Sequence, residues 1–153
     1  MFKHTPVLLE EVLAALQIRA GGRYLDATFG RGGHTRALLE RIGAAGRVIA
    51  IDRDPEAIRA GREMFAADGR LTLVNSAFSQ LLEVVTNAGF AGALDGVLFD
   101  LGVSSPQLDD AARGFSFMQE GPLDMRMDSR QGQTAADWLA RAPEHEIARV
   151  IRE

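Results

Sequence analysis

Three glycines constrain most strongly what this chain can fold into. Gly30, Gly32 and Gly33 follow a short apolar run, Arg23-Tyr24-Leu25-Asp26-Ala27. They precede a stretch from His34 to Ile42 in which Ala37, Leu38, Leu39 and Ile42 recur at helical spacing, with Gly43 as its stop. A strand that turns into a helix through glycine opens a parallel α/β sheet. Glycine there permits a tight turn and a close approach of backbone to a ligand.

The alternation continues through the first two-thirds of the chain. Thr5-Pro6 ahead of residues 7–13 reads as a capped helix with proline at its first position. Arg47–Asp52 is a second strand, apolar enough to be buried on both faces. Asp54-Pro55-Glu56 starts a helix that runs to about Ala67, before the Asp68-Gly69 turn. Leu71–Asn75 is a third strand, residues 78–88 are helical, and residues 94–101 are a fourth strand. Strands separated by helices, each strand near-continuously apolar, predict a parallel α/β sheet. From Gly102 to Gly132 no period survives, which marks a long functional or flexible loop. Helical patterns resume at Thr134, a cap with Asp137 three residues on, and at Pro143-Glu144. The expected division is a ligand-binding core over 1–108, then a loop and the start of an inserted helical domain over 109–153.

The motifs narrow the ligand. A dinucleotide fingerprint counted from Gly30 puts Thr35 where the third glycine belongs, and a phosphate-binding loop needs a lysine that is absent, since Lys3 is the only one. Asp26 would sit poorly beside a pyrophosphate and well beside a cationic methionine group, which favours S-adenosylmethionine over NAD. Asp52 ends the second strand about twenty residues beyond the glycines, where a carboxylate can accept both ribose hydroxyls of a nucleoside. The alternative for Asp52, helix capping, is better filled by Asp54. Phe78, after the third strand, reads either as a ring against adenine or as a core residue heading the next helix. The segment Asp100-Leu101-Gly102-Val103-Ser104-Ser105-Pro106-Gln107-Leu108-Asp109 brings carboxylate, hydroxyl and amide groups to the same rim. Such groups could hold an acceptor for in-line attack on a methyl group, and a solvated loop is the other reading. His34 at a helix start offers its backbone N–H to a ligand rather than acting as a base. Met118, Met125, Met127, Phe115 and Phe117 form either an adaptable lid or plain packing.

Together these stretches resemble one family. They are Lys3-His4-Thr5-Pro6-Val7-Leu8-Leu9, Phe29-Gly30-Arg31-Gly32-Gly33-His34, Ile51-Asp52-Arg53-Asp54-Pro55, the Asp100 to Asp109 segment, Arg113-Gly114-Phe115-Ser116-Phe117 and Gly121-Pro122-Leu123-Asp124-Met125-Arg126-Met127-Asp128. The family is the bacterial 16S ribosomal RNA cytosine-N4 methyltransferases, and the resemblance covers almost the whole chain. It implies a Rossmann-like S-adenosylmethionine-dependent core with the first four strands of the usual seven. It implies cofactor contacts from Gly32, Gly33, His34, Asp52, Phe78, Asp100 and Gln107, and no metal. Asp100, Ser104, Ser105 and Pro106 stand where amino-methyltransferases carry their catalytic motif, of which this is a divergent form. The partner implied is ribosomal RNA or the small ribosomal subunit. Family members run to roughly twice this length, so the chain is expected to end inside the inserted domain. That raises a second expectation, a cofactor-binding fragment without turnover. It also leaves the outer edge of strand four bare unless another chain covers it, as in a homodimer.

Composition excludes several classes. The chain has no cysteine, hence no disulfide or thiolate metal site. Nothing approaches the ~18 consecutive apolar residues of a membrane span, and residues 1–6 lack the apolar stretch of a secretory signal, which reads as cytoplasmic. A net charge of −4 disfavours tight binding of free nucleic acid. Arg113, Arg126 and Arg130 are either RNA-phosphate contacts or solvated loop charges, and a folded RNA or assembled subunit as substrate would need little affinity for free RNA.

Overall fold

The computed structural model describes residues 6–152. The chain divides into two compact units after Leu101.

In the first unit the elements run α1 (Leu9–Ala15), β1 (Arg23–Asp26), α2 (Gly33–Arg41), β2 (Arg47–Asp52), α3 (Pro55–Met64), β3 (Leu71–Asn75), a 3₁₀ turn (Phe78–Gln80), α4 (Leu81–Asn87) and β4 (Gly96–Leu98). All three strand pairings are parallel, in the order β3-β2-β1-β4. Leu25 lies opposite Ile49 on one side and Val97 on the other. Parallel strands need covering on both faces, and the register supplies two cores. Tyr24 and Val48 face Leu13 of α1, Leu38 of α2 and Ile42 just beyond it. Leu25, Ile49 and Ile51 face Val84 and Val85 from α4.

The predicted parallel α/β architecture is present, and β2 and β3 have the predicted limits. Asp54 caps α3 by accepting the Glu56 N–H at 2.9 Å, with Pro55 first in the helix and Ile58 buried beneath it. Three expectations need correction. The first described helix starts at Leu9, behind Leu8 in a left-handed conformation (φ 51°), so Pro6 precedes it by three residues. The proposed cap Thr5 lies outside the described residues. β4 is confined to Gly96–Leu98, because beyond Leu98 its neighbour β1 has already turned away. The helix expected to begin at Phe78 opens with one 3₁₀ turn before α4.

The second unit contains α5 (Ser105–Asp109), a 3₁₀ turn (Ala111–Arg113), α6 (Ala135–Leu139) and α7 (Glu144–Arg152). The expectation of an unpatterned loop from Gly102 fails at α5. Ser104 and Gln107 form a capping box there, and the Gln107 side chain accepts the Ser104 N–H at 2.9 Å. Thr134 and Asp137 form the expected box at α6. Between these helices the backbone is braced. A side chain on Gly121 would meet the Ala111 carbonyl at 2.0 Å. Arg113 donates to the carbonyls of Arg126 and Met127 at 3.0 and 2.9 Å. Asp124 pairs with Arg126 at 2.6 Å and Asp128 with Arg130 at 2.9 Å. No described helix is long and apolar enough to cross a membrane.

Candidate functional site

Parallel strands end together, so the residues that follow β1, β2, β3 and β4 share one rim of the sheet. Asp26 closes β1 and is fully buried. Its carboxylate accepts the Thr28 N–H at 3.1 Å and the Thr35 hydroxyl at 2.7 Å. Burial holds its pKa above the usual aspartate value, against the lowering effect of those two hydrogen bonds. Asp26 therefore anchors the turn from beneath, with its carboxylate engaged by Thr28 and Thr35.

Asp52 is tied to the same turn. One carboxylate oxygen accepts the Gly30 N–H at 2.7 Å and the other accepts the Asp54 N–H at 2.8 Å. Burial raises its pKa, with these backbone donors pulling the other way. The side chain of Asn75, at the end of β3, donates to the Asp52 and Arg53 carbonyls at 2.9 and 3.0 Å. Three strand ends are thus linked through one carboxylate and one amide.

The glycines are required by what lies against them. Gly32 has φ +71°, and a Cβ on it would meet the rings of Phe29 and Phe65 at 2.8 and 2.9 Å. On Gly33 a Cβ would meet Cγ of Pro6 at 2.3 Å. At both positions the groups packed against the glycine are the chain's own. Next to Gly33, the His34 ring is buried, with Nε2 3.2 Å from the Val7 carbonyl and Nδ1 3.7 Å from an Asp100 carboxylate oxygen. The Asp100 N–H donates to the Thr28 hydroxyl at 2.7 Å, which ties the end of β4 to the glycine turn. Phe78 is 53% exposed and meets Phe99 edge-on, with ring centroids 5.9 Å apart. The core reading of Phe78 is thereby removed.

Gly32, Gly33, His34, Asp52 and Asp100 therefore gather around one turn at the strand ends, which Asp52 and Asp100 hold through hydrogen bonds to Gly30 and Thr28, with Phe78 on its rim. Gln107, Ser104, Ser105 and Pro106 belong to the second unit, where Gln107 is buried and serves the α5 cap. An open groove of about 320 Å³ lies between β3 and α4, lined by Thr72, Val74, Asn75, Gln80, Glu83 and Val84 among others, and neither the glycine turn nor Asp52 lines it.

A model of the MraW methylase family matches residues 1–153. The chain belongs to the MraW methylase family. Two curated relatives are each called ribosomal RNA small subunit methyltransferase H. That of Alteromonas mediterranea is 57% identical over 99% of this chain and 48% of its own length. That of Shewanella amazonensis is 59% identical over 99% of this chain and 48% of its own length. The chain thus spans about half the length of the curated relatives it matches. A solved structure of a SAM-dependent methyltransferase from Aquifex aeolicus shares 25% identity over 45% of this chain and 38% of that one, with a TM-score of 0.41.

In this MraW-family chain, sequence reasoning missed Thr28, Thr35 and Phe99. Thr28 and Asp100 are 72 positions apart, and no local pattern announces such a pair. The α5 cap was signalled by Ser104 three residues before Gln107 and by Pro106 in the first turn. Among the described residues no group of three or more His, Asp or Glu could hold a metal ion.

Proposed function

We propose that this chain carries the S-adenosylmethionine-binding core of a cytoplasmic enzyme that methylates small-subunit ribosomal RNA, with the exocyclic N4 amine of a 16S cytidine as acceptor. The observation that carries the reading is the family match over the whole chain, and the geometry of the rim supports it. Asp52 is held by two backbone N–H groups from within, and a carboxylate has lone pairs to spare for ribose hydroxyls. Phe78 offers a braced aromatic surface to adenine. Gly32, Gly33, His34 and Asp100 complete the cofactor contacts, with Gln107 from α5. When bound, S-adenosylmethionine supplies an electrophilic methyl group. The work left to the chain is orientation: Asp100 and, at the start of α5, Ser104, Ser105 and Pro106 hold the acceptor amine with its lone pair aimed at that group. The N4 position rests on the likeness of the Asp100 to Pro106 stretch to the amino-methyltransferase motif.

A second reading is that this chain binds the cofactor without turnover; it spans about half the length of its curated relatives. Incubating the chain with methyl-labelled cofactor and small ribosomal subunits separates the two. Label in a 16S cytidine N4 is the expected result; cofactor binding with no label in RNA selects the second. Tighter binding of NAD than of S-adenosylmethionine would sink both. A second copy on the outer edge of β4 belongs to the same proposal, and sedimentation of the chain as a monomer at all concentrations counts against it.

A further inference from the structure

The segment ahead of α1 touches the glycine turn at two adjacent points, and each contact is specific. Gly33 does not have the left-handed backbone of Gly32, so its conformation admits any residue. What forbids a side chain there is Pro6, whose Cγ occupies the position at 2.3 Å and whose ring cannot swing aside. At the next residue the His34 ring turns Nε2 to the Val7 carbonyl at 3.2 Å. A carbonyl only accepts, so the proton sits on Nε2. The opposite ring nitrogen lies 3.7 Å from the Asp100 carboxylate. One buried ring thus stands between residue 7 and the end of β4.

We propose that Pro6–Leu8 is a strap seated on the cofactor turn, and that His34 is the positioning residue that couples the strap to that turn. On this view Gly33 is glycine to admit Pro6, and the strap, the turn and Asp100 set the site's shape as one body. The proposal deepens the cofactor-binding reading and rests on it for its effect on affinity. The seat itself is testable without any ligand.

The test is a double-mutant cycle on Pro6→Gly and Gly33→Ala, read in two ways. Nitrogen-15 imidazole spectra of the ligand-free chain report the Nε2-protonated tautomer and its hydrogen bond. Calorimetry reports S-adenosylmethionine affinity. The expected result is that Gly33→Ala unseats Pro6, shifts the His34 signal and weakens cofactor binding at least tenfold. In the Pro6→Gly background the same change leaves the His34 signal where Pro6→Gly alone puts it. His34→Gln, whose amide can still donate to Val7, retains more affinity than His34→Ala. Equal shifts of the His34 signal from Gly33→Ala in both backgrounds would overturn the proposal, since Pro6 would then not be what the added methyl displaces. Should Gly33→Ala fail to fold, Pro6→Gly alone decides: an unmoved His34 signal refutes the strap. If the parent chain binds no S-adenosylmethionine, the functional reading fails while the spectra still judge the seat.

Discussion

Two aspartates that end neighbouring strands carry opposite burdens. Asp26 has no exposure and spends its carboxylate on Thr28 and Thr35, whereas Asp52 is only partly covered at the rim. Asp26→Ala leaves the Thr35 hydroxyl without its partner in the core, and a loss of about 1–3 kcal/mol is expected by denaturant unfolding. Asp26→Asn can keep both contacts, its carbonyl toward the Thr28 N–H and its amide toward the Thr35 oxygen, and is expected to cost less. Asp52→Ala is expected to weaken S-adenosylmethionine binding at least tenfold by calorimetry. Unchanged affinity would remove Asp52 from the cofactor site.

The elements differ in how much of their limits their own residues dictate. Gln107→Ala takes the acceptor from the Ser104 N–H and is expected to unravel the five-residue α5, at a cost of about 1 kcal/mol. Amide exchange over residues 105–109 reads this directly. Ile58→Ala, at the buried face of α3, is expected to cost about 2–5 kcal/mol. β2 and β3 were legible because Val48, Ile49, Ile51, Leu71, Leu73 and Val74 form apolar runs bounded by turn and cap residues. α3 was legible at its start through Asp54 and Pro55. β4 was not, since Phe99 and Leu101 continue the apolar run while the ladder ends with its partner strand. The start of α1 was misread because proline suits a first turn without requiring one. At the site, Asp52 and the glycines could be located from spacing. The occupant of the space over Gly33 could not, because Pro6 is 27 residues away in sequence and meets it only in the folded chain.

At the scale of the whole molecule, the two units respond differently to acid. In the second, Arg126 holds the Asp124 carboxyl below the usual value of 3.8, Arg130 and Gln131 do the same for Asp128, and Thr134 for Asp137. Lowered folded values mean that stability present above pH 3.8 is lost as pH falls through the folded values. In the first unit Asp26 and Asp52 are raised by burial. Their penalty appears as pH rises above 3.8 and is absent in acid, offsetting Asp68 and Asp95, which Arg70 and the Arg23 backbone N–H lower. Pepsin at pH 3 is therefore expected to cut first within residues 102–152. First cuts inside the sheet would contradict this assignment.

The strand order also bears on how the chain is born. β1 lies in the interior of the sheet, yet of the four described strands it leaves the ribosome first. β2 follows and pairs with it, and β3 then pairs with β2, so each arrival finds an edge already formed. Of the described strands, only β4 must return across the nascent sheet to the far side of β1. Translation therefore delivers β3, β2 and β1 as one growing edge once residue 75 has emerged, and β4, the slow long-range addition, brings Asp100 to the glycine turn as its last act.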